Sequence, residues 1–550
     1  MKKNSFIEGT IIASLAIIIT KILGVLYVIP FYSIIGEDGG VLYSYAYNIY
    51  NLFLNIATAG IPVAISMVIS EYQTLDMQDA KRRTYKISKK IIAVISIIAF
   101  LVLFIFAEQF ANFFLSGIEG GNSLQDVGLV IRAISTCLLI IPFLSVLRGF
   151  IQGNKIITPT SISQVIEQLV RVIIIVFGSY ISINYFHAST PVAVSVALSG
   201  AFFGGLAAYL YLRFKVNKNK ELFETKVEKK DNVSNKEIVK KIIFYCIPLI
   251  ITSIITNLYD LIDMKLVIKG LYMIDYPASD AELIASIIAT WGPKICMVIV
   301  AISMGLTTSL IPHMIESFTK GDKKDVNHKF NQAIKTILFI TIPMALGLFL
   351  LADEAYYLFY GENTYGPLLL RYLAILNIFT AVLTVMNTAL QGMKKFKIIY
   401  INSIAGLAIN AILDIPLILL FNAIGIYPFY GTVTATIIGC SLSYLIVFIY
   451  LKKTENFSFK PIISSLKKLV IPVVVMSIIV YFLEKISNFL PANTLGSLIT
   501  ILVCALVGAL VYAYLTYKNG SFKDIMGNTF QDKLTKILKM RKRKNASRSH

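Results

Sequence analysis

Charge is scarce in this chain. Asp, Glu, Lys and Arg make up 15% of its 550 residues, where soluble domains carry about a quarter. Hydrophobic residues reach 56% and the mean hydropathy is +0.73. That balance excludes an ordinary soluble fold and a disordered chain. Only five cysteines occur (Cys137, Cys246, Cys296, Cys440 and Cys504), all within apolar runs and none in C-x-x-C spacing. A secreted disulfide scaffold is therefore out, and the thiols read as small buried hydrophobes. Four scattered histidines with no H-E-x-x-H exclude a zincin site, and the lack of G-x-x-x-x-G-K-[ST] excludes ATP hydrolysis at a P-loop. The net charge of +20 would suggest nucleic acid in a soluble protein. Here the positions of the 51 Lys and Arg decide its meaning.

Long apolar runs are what the chain has in abundance. A helix rises 1.5 Å per residue, so about 20 apolar residues cross the hydrocarbon of a bilayer. Fourteen runs qualify: 8–30, 41–70, 91–113, 127–151, 159–183, 191–212, 242–263, 283–316, 331–352, 367–391, 398–421, 430–451, 466–484 and 495–517. The first has too long a core for a cleaved signal peptide, and no A-x-A site follows it. Pro293 and Pro312 predict a bend in 283–316. With the N-terminus placed in the cytoplasm, and Lys467 and Lys468 at the edge of 466–484 counted with the connection before it, 41 of the 51 cations fall in the two tails and the inner connections, and three (Lys265, Lys269, Lys485) in the outer ones. The other seven lie within spans. This bias is the positive-inside rule, and it predicts that both termini are cytoplasmic. The +20 then marks contact with anionic membrane lipids, not nucleic acid.

The Lys-rich loop 214–241 divides the first twelve spans into six and six, and the halves resemble each other. Gln152-Gly153 ends span 4 and Gln391-Gly392 ends span 10, an offset of 239. Gly60 and Glu71 in span 2 match Gly305 and Glu316 in span 8 at an offset of 245, and Thr20-Lys21 matches Thr256-Asn257 at 236. Six spans per copy keep the same orientation, so the lobes relate by an axis along the membrane normal, as in rocking transporters with a central site. The expected organisation is an all-α integral membrane protein of fourteen transmembrane helices. It comprises an N-terminal lobe (1–213), a linker (214–241), a C-terminal lobe (242–452), two further helices (466–517) and a basic tail (518–550).

Ionisable groups inside spans are costly and generally face a cavity or a partner. Lys21 is too deep in span 1 to snorkel, and Lys294 follows Trp291-Gly292-Pro293 in span 8. Two cations on one cavity would suit an anionic group such as a pyrophosphate. Arg148, Arg171 and Glu167 read either as an ion pair between helices or as part of that site; Arg132, Arg371 and Lys335 read as snorkelling. Asn410 and Asp414 share a helix face. With Asp260 or Asp263 and Thr432, Thr434 or Thr436 they offer the hard oxygens a sodium ion takes, or a polar contact between helices; both readings stay open. Asn48, Asn51 and Asn55 form a polar stripe suited to line a sugar-accommodating cavity, while Tyr43 and Tyr45 read as an interfacial belt. Asp260 and Asp263 also resemble the spaced aspartates of membrane transferases, which keeps a glycosyltransferase or polymerase as an alternative.

Thr20-Lys-Ile-Leu-Gly24, Ile29-Pro-Phe-Tyr32, Ile35-Gly36, Ala57-Thr-Ala-Gly-Ile-Pro62 and Ser70-Glu-Tyr72 resemble the multidrug/oligosaccharidyl-lipid/polysaccharide flippase superfamily. Within it, the chain is similar to the Gram-positive MurJ-type lipid II flippases and stage V sporulation protein B. The resemblance implies a transporter, not an enzyme: a monomer in the cytoplasmic membrane of a Gram-positive-type bacterium. It would flip undecaprenyl-pyrophosphate-linked peptidoglycan precursor, or another polyprenyl-linked saccharide, by alternating access, driven by membrane potential or a cation. A cation-coupled multidrug exporter is the alternative within the superfamily. The resemblance places Lys21 and Lys294 where relatives hold the pyrophosphate with arginines. Tyr27 stands at a second such position, and Leu54 and Asn55 replace an arginine of helix 2. It also implies sodium ligation by Asp260 or Asp263, Asn410, Asp414 and Thr436, and a lipid-tail groove in spans 13 and 14.

Overall fold

The structure is a computed structural model that describes residues 6–117, 120–223, 231–299, 314, 317–318, 320–487, 491 and 493–526. No strand occurs among them. The principal helices are α1 (Phe6–Leu26), α2 (Val28–Thr58), α3 (Ile61–Thr74) and α4 (Gln78–Ile105). They continue with α5 (Leu124–Gly153), α6 (Thr158–Asn184), α7 (Thr190–Lys218), α8 (Asn235–Tyr272) and α9 (Ala278–Ile299). After these come α10 (Lys323–Leu350), α11 (Gly366–Gly392), α12 (Phe396–Ala423), α13 (Tyr430–Thr454), α14 (Lys460–Ser487) and α15 (Thr494–Lys518). Taking α2 and α3 as one span, thirteen segments among the described residues are long and apolar enough to cross a membrane, and α1 precedes them.

The reason for helices alone is hydrogen bonding. Hydrocarbon offers no partner to a peptide group, and an α-helix satisfies its own. Departures from regularity have local causes. The segment expected to connect spans 1 and 2 is helical, because Ile29–Ile35 continues an apolar helical run after a single break at Tyr27. Within α2 the break falls at Gly36 (φ 67°, ψ −171°), a region essentially open only to glycine. Gly60 (φ 74°) separates α2 from α3, and Pro62 sits in the first turn that follows. Two π-helical turns, Ile174–Gly178 in α6 and Ile287–Trp291 in α9, insert an extra residue into otherwise regular helices. The expected span 283–316 is described as helix to Ile299; Gly305, Pro312 and Glu316 lie outside the described residues, as do Lys2, Lys3 and the tail beyond 526.

The repeat is visible in backbone geometry. Lys155 (φ 61°) donates its N–H to Gln152 at 2.8 Å, and Ile156 donates to Ile151 at 3.4 Å. Lys394 (φ 58°) donates to Gln391 at 2.9 Å, and Lys395 donates to Leu390 at 2.8 Å. Both are Schellman caps, and in each a lysine takes the left-handed position usually given to glycine. Every member sits 239 residues from its counterpart, the offset read from Gln152-Gly153 and Gln391-Gly392.

Two compact units emerge. The first contains Met1–Met297, Phe359–Gly361 and Ser403–Gly439; the second contains Val298–Leu358, Glu362–Asn402 and Cys440–His550. A core of the first runs through Ile65, Ile69 and Tyr72 of α3, Leu144 and Ile151 of α5, and Ile238 of α8. In the second, Phe330 and Ile334 of α10, Val385 and Leu390 of α11 and Val447 of α13 form one core, and Met476, Val480 and Tyr512 of α14 and α15 join another. The functional site below lies within the first unit.

Candidate functional site

A cavity of about 220 Å³ opens between α1, α2, α5, α6, α7 and α9. Its wall carries three cations: Lys21 from α1, Arg171 from α6 and Lys294 from α9. Thr20, Gln168 and the hydroxyl-bearing rings of Tyr27, Tyr43, Tyr47 and Tyr50 complete its polar lining. No carboxylate lines it among the described residues.

Lys294 is buried, 8% exposed, and its counter-charge is aromatic. Its Nζ lies 4.0 Å from the Trp291 ring centre, 4.5 Å from Tyr43, 5.5 Å from Tyr27 and 5.6 Å from Tyr47. It also donates to the Tyr27 hydroxyl at 3.3 Å, which in turn lies 3.4 Å from the Tyr43 hydroxyl. A cation–π contact is worth about 0.5 kcal/mol when exposed and about 2 when desolvated. Four such rings can offset the about 2.5–3.5 kcal/mol of a lysine inside a span on insertion scales. The cage is rigid: Trp291 donates its indole N–H to Gly40 O at 3.1 Å, and Tyr360 donates its hydroxyl to Trp291 O at 2.7 Å. The π-helical turn ending at Trp291 sets the register of the helix that carries Lys294.

Arg171 has a carboxylate. Glu167 pairs with Arg171 at 2.8 Å through one oxygen and with Arg148 of α5 at 2.9 Å through the other. The ion-pair reading of this trio therefore describes its contacts, while Arg171 alone of the three lines the cavity. The asparagines are placed elsewhere. Asn48 donates to Thr290 at 2.9 Å and to Ser44 O at 3.0 Å, tying α2 to α9. Asn55 donates back to Asn51 O at 2.9 Å, and neither lines the cavity. The belt reading of Tyr43 and Tyr45 is corrected: both are buried, Tyr43 in the cavity wall and Tyr45 against Phe114. Ring hydroxyls, not amides, line the cavity: Tyr43, Tyr47 and Tyr50 of α2 face it, while the Asn48 amide is taken up by Ser44 and Thr290. Glu71, in the last turn of α3, receives Lys241 at 2.7 Å.

A second polar cluster joins α8, α12 and α13 in the same unit. Thr436 donates to Asp263 Oδ2 at 3.2 Å, and Asn410 donates to Thr436 Oγ1 at 3.2 Å. Asp263, Asn410, Asp414, Thr432 and Thr436 are all buried. Asp263 Oδ1 and Asn410 Oδ1 are buried without a close partner outside the cluster, and the Asp414 carboxylate faces Asp263 and Thr432. Orphaned buried oxygens are costly, at about 1–3 kcal/mol each and more when charged. Gathered on hard donors, they fit a small oxygen-seeking cation. Asp260 is exposed and does not join them, so the spaced aspartates of α8 do not converge.

Sequence reasoning missed the aromatic cage. Its signal was present, since Tyr43 and Tyr47 are four apart on α2 and Trp291 is three before Lys294, but the partner of a ring on another helix is not readable from spacing.

Comparison with known proteins agrees with this architecture. The family model described as polysaccharide biosynthesis protein matches residues 6–276, and the one described as MatE matches residues 248–415. The chain is 31% identical over 536 residues to lipid II flippase MurJ of Bacillus subtilis (strain 168), covering 95% of this chain and 97% of that one. It is 25% identical over 364 residues to stage V sporulation protein B of the same organism, covering 66% of this chain and 68% of that one. A solved structure of lipid II flippase MurJ, in an inward closed conformation, superposes with a TM-score of 0.67 at 17% identity, over 94% of this chain and all of that one. This multi-pass membrane transporter belongs to the multidrug/oligosaccharidyl-lipid/polysaccharide flippase superfamily, in its polysaccharide-transporter branch.

Proposed function

We propose that this transporter flips a polyprenyl-pyrophosphate-linked saccharide, lipid II foremost, from the inner to the outer leaflet of the bacterial cytoplasmic membrane. The observation that carries the reading is the convergence of Lys21 and Lys294 on one cavity with no carboxylate in its wall among the described residues. Ammonium groups act as point charges and take phosphate oxygens from any direction. A cavity of about 220 Å³ is below the about 300–1,000 Å³ of drug-sized sites, and suits a diphosphate better than a whole headgroup. The similarity to lipid II flippase MurJ over nearly the whole of both chains supports the same substrate class. Lobes 1–213 and 242–452 would alternate access, with both termini cytoplasmic, powered by membrane potential or a cation. Asp263, Asn410, Asp414, Thr432 and Thr436 would hold a sodium ion, whose charge would neutralise the paired carboxylates. Another polyprenyl-linked saccharide is the second reading, favoured by Tyr27 and Asn55 standing where the family resemblance expects arginines.

The test uses purified protein in vesicles with labelled lipid II and no sugar donor. Translocation without a new glycosidic bond, lost in Lys21→Ala and Lys294→Ala, is the expected result. Full activity of both variants would remove the lysine clamp, and polymer formation would replace the transporter reading by a transferase.

A further inference from the structure

The three charges at the junction of α5 and α6 do not balance. Arg148 and Arg171 share the single carboxylate of Glu167, each through one of its oxygens at 2.9 and 2.8 Å. Arg148 is also fixed by a donation from its Nε to Ser163 at 3.0 Å. Arg171 has no such second partner: its Nε is buried without a hydrogen bond, and its side chain reaches the cavity wall beside Lys21 and Lys294. The helix that carries Glu167 and Arg171 is held close. A Cβ on Gly200 of α7 would come within 2.9 Å of Arg171 O, and one on Gly204 within 2.5 Å of Glu167 O. Two small residues four apart let the backbones approach, so the trio sits on a fixed platform.

We infer that Arg171 is a third anion-binding residue of the cavity, and that Glu167 is a resident counter-ion which an entering diphosphate displaces from it. The inference rests on the reading above that an anionic headgroup enters this cavity. A carboxylate and a phosphate present the same paired oxygens to a guanidinium, and the doubly charged phosphate competes better. When Arg171 turns to the substrate, Glu167 keeps Arg148 and stays paired, so no buried charge is stranded. When substrate leaves, Glu167 recaptures Arg171, which favours release. This device supplies the guanidinium that the resemblance expects from α1 and α2, where this chain has Tyr27 and Asn55.

Inorganic pyrophosphate titrated into the full-length protein in detergent, read by calorimetry alongside the thermal midpoint, tests it. Arg171→Gln is expected to weaken binding about tenfold or more, and Glu167→Gln to strengthen it severalfold by freeing Arg171. The double variant Arg148→Met with Glu167→Gln removes the structural pair with its carboxylate, and it too should bind more tightly than wild type. Affinity unchanged in Arg171→Gln and Glu167→Gln, with only the thermal midpoint lowered, would make the trio a packing device and overturn the inference. If Lys294→Ala loses pyrophosphate and the Arg171 and Glu167 variants do not, the inference fails while the lysine reading stands. No binding to wild type overturns both.

Discussion

The two polar clusters of the first unit are opposites. Around the cavity, Lys294 is buried among four rings with no carboxylate in the wall among the described residues, and Lys21 and Arg171 share that wall. Between α8, α12 and α13, two aspartates are buried with an asparagine and two threonines, and no lysine or arginine pairs with them among the described residues. Where this protein needs only rigidity it balances its charges internally, as Glu455 does with Lys395 at 2.7 Å and Lys323 at 3.4 Å. At the two clusters Lys294, Asp263 and Asp414 have no such ion pair among the described residues. A buried charge without a covalent-chain partner is expensive, so its persistence points to a counter-charge that comes and goes. Under the proposed function one cluster would take an anion and the other a cation.

The largest test removes the sign of the first cluster. Lys294→Ala should lower lipid II translocation about a hundredfold, the scale of an unpaired charged contact, while the protein still reaches the membrane; normal transport would erase the contrast. Next comes the second cluster. Sodium should raise the thermal midpoint of wild type, by a stabilisation of about 2.7 kcal/mol at a hundred times its Kd, and Asp414→Asn should remove that rise. A wild type indifferent to sodium makes the oxygens a packing contact. Smaller is the effect of loosening the cage without changing charge. Trp291→Phe removes the indole donation to Gly40 and should cost about 1 kcal/mol of stability, with weaker anion binding as a second readout; an unchanged affinity would mean the rings are a passive wall.

The smallest effect belongs to the balanced pair. Burial pushes the Glu455 carboxyl up, but hydrogen bonds from Lys395 and Lys323 outweigh it and hold the group below its usual value. A depressed folded value stabilises above the unfolded pKa of about 4.3 and is lost as pH falls through the lower folded one. Between roughly pH 5 and pH 3, wild type should therefore lose stability that Glu455→Gln does not; parallel melting curves would show the pair contributes nothing.

Much of this was legible in the chain itself. Lys21 and Lys294 stood out because so few charges lie in spans, and Asn410 and Asp414 because four residues make one helical turn. The repeat could be read at Gln152 and Gln391, whose caps match bond for bond. Three things could not be read. Asn48 has the spacing of a lining residue, yet Thr290, 242 positions away, takes its amide. Tyr43 looks like a belt residue until α9 brings Trp291 against it at 5.5 Å. Asp260 and Asp263 are three apart, but only one faces the cluster.

By itself the sequence determined the helical spans and the short list of charges within them. These follow from apolar run length and from where cations fall, which are properties of the chain taken in order. Tertiary structure alone decided which charge has which partner. A carboxylate bridging two arginines, a lysine caged by rings from two helices and a buried oxygen cluster from three helices all depend on side chains tens to hundreds of residues apart. Helical periodicity fixes which residues share a face, and only packing fixes what that face meets.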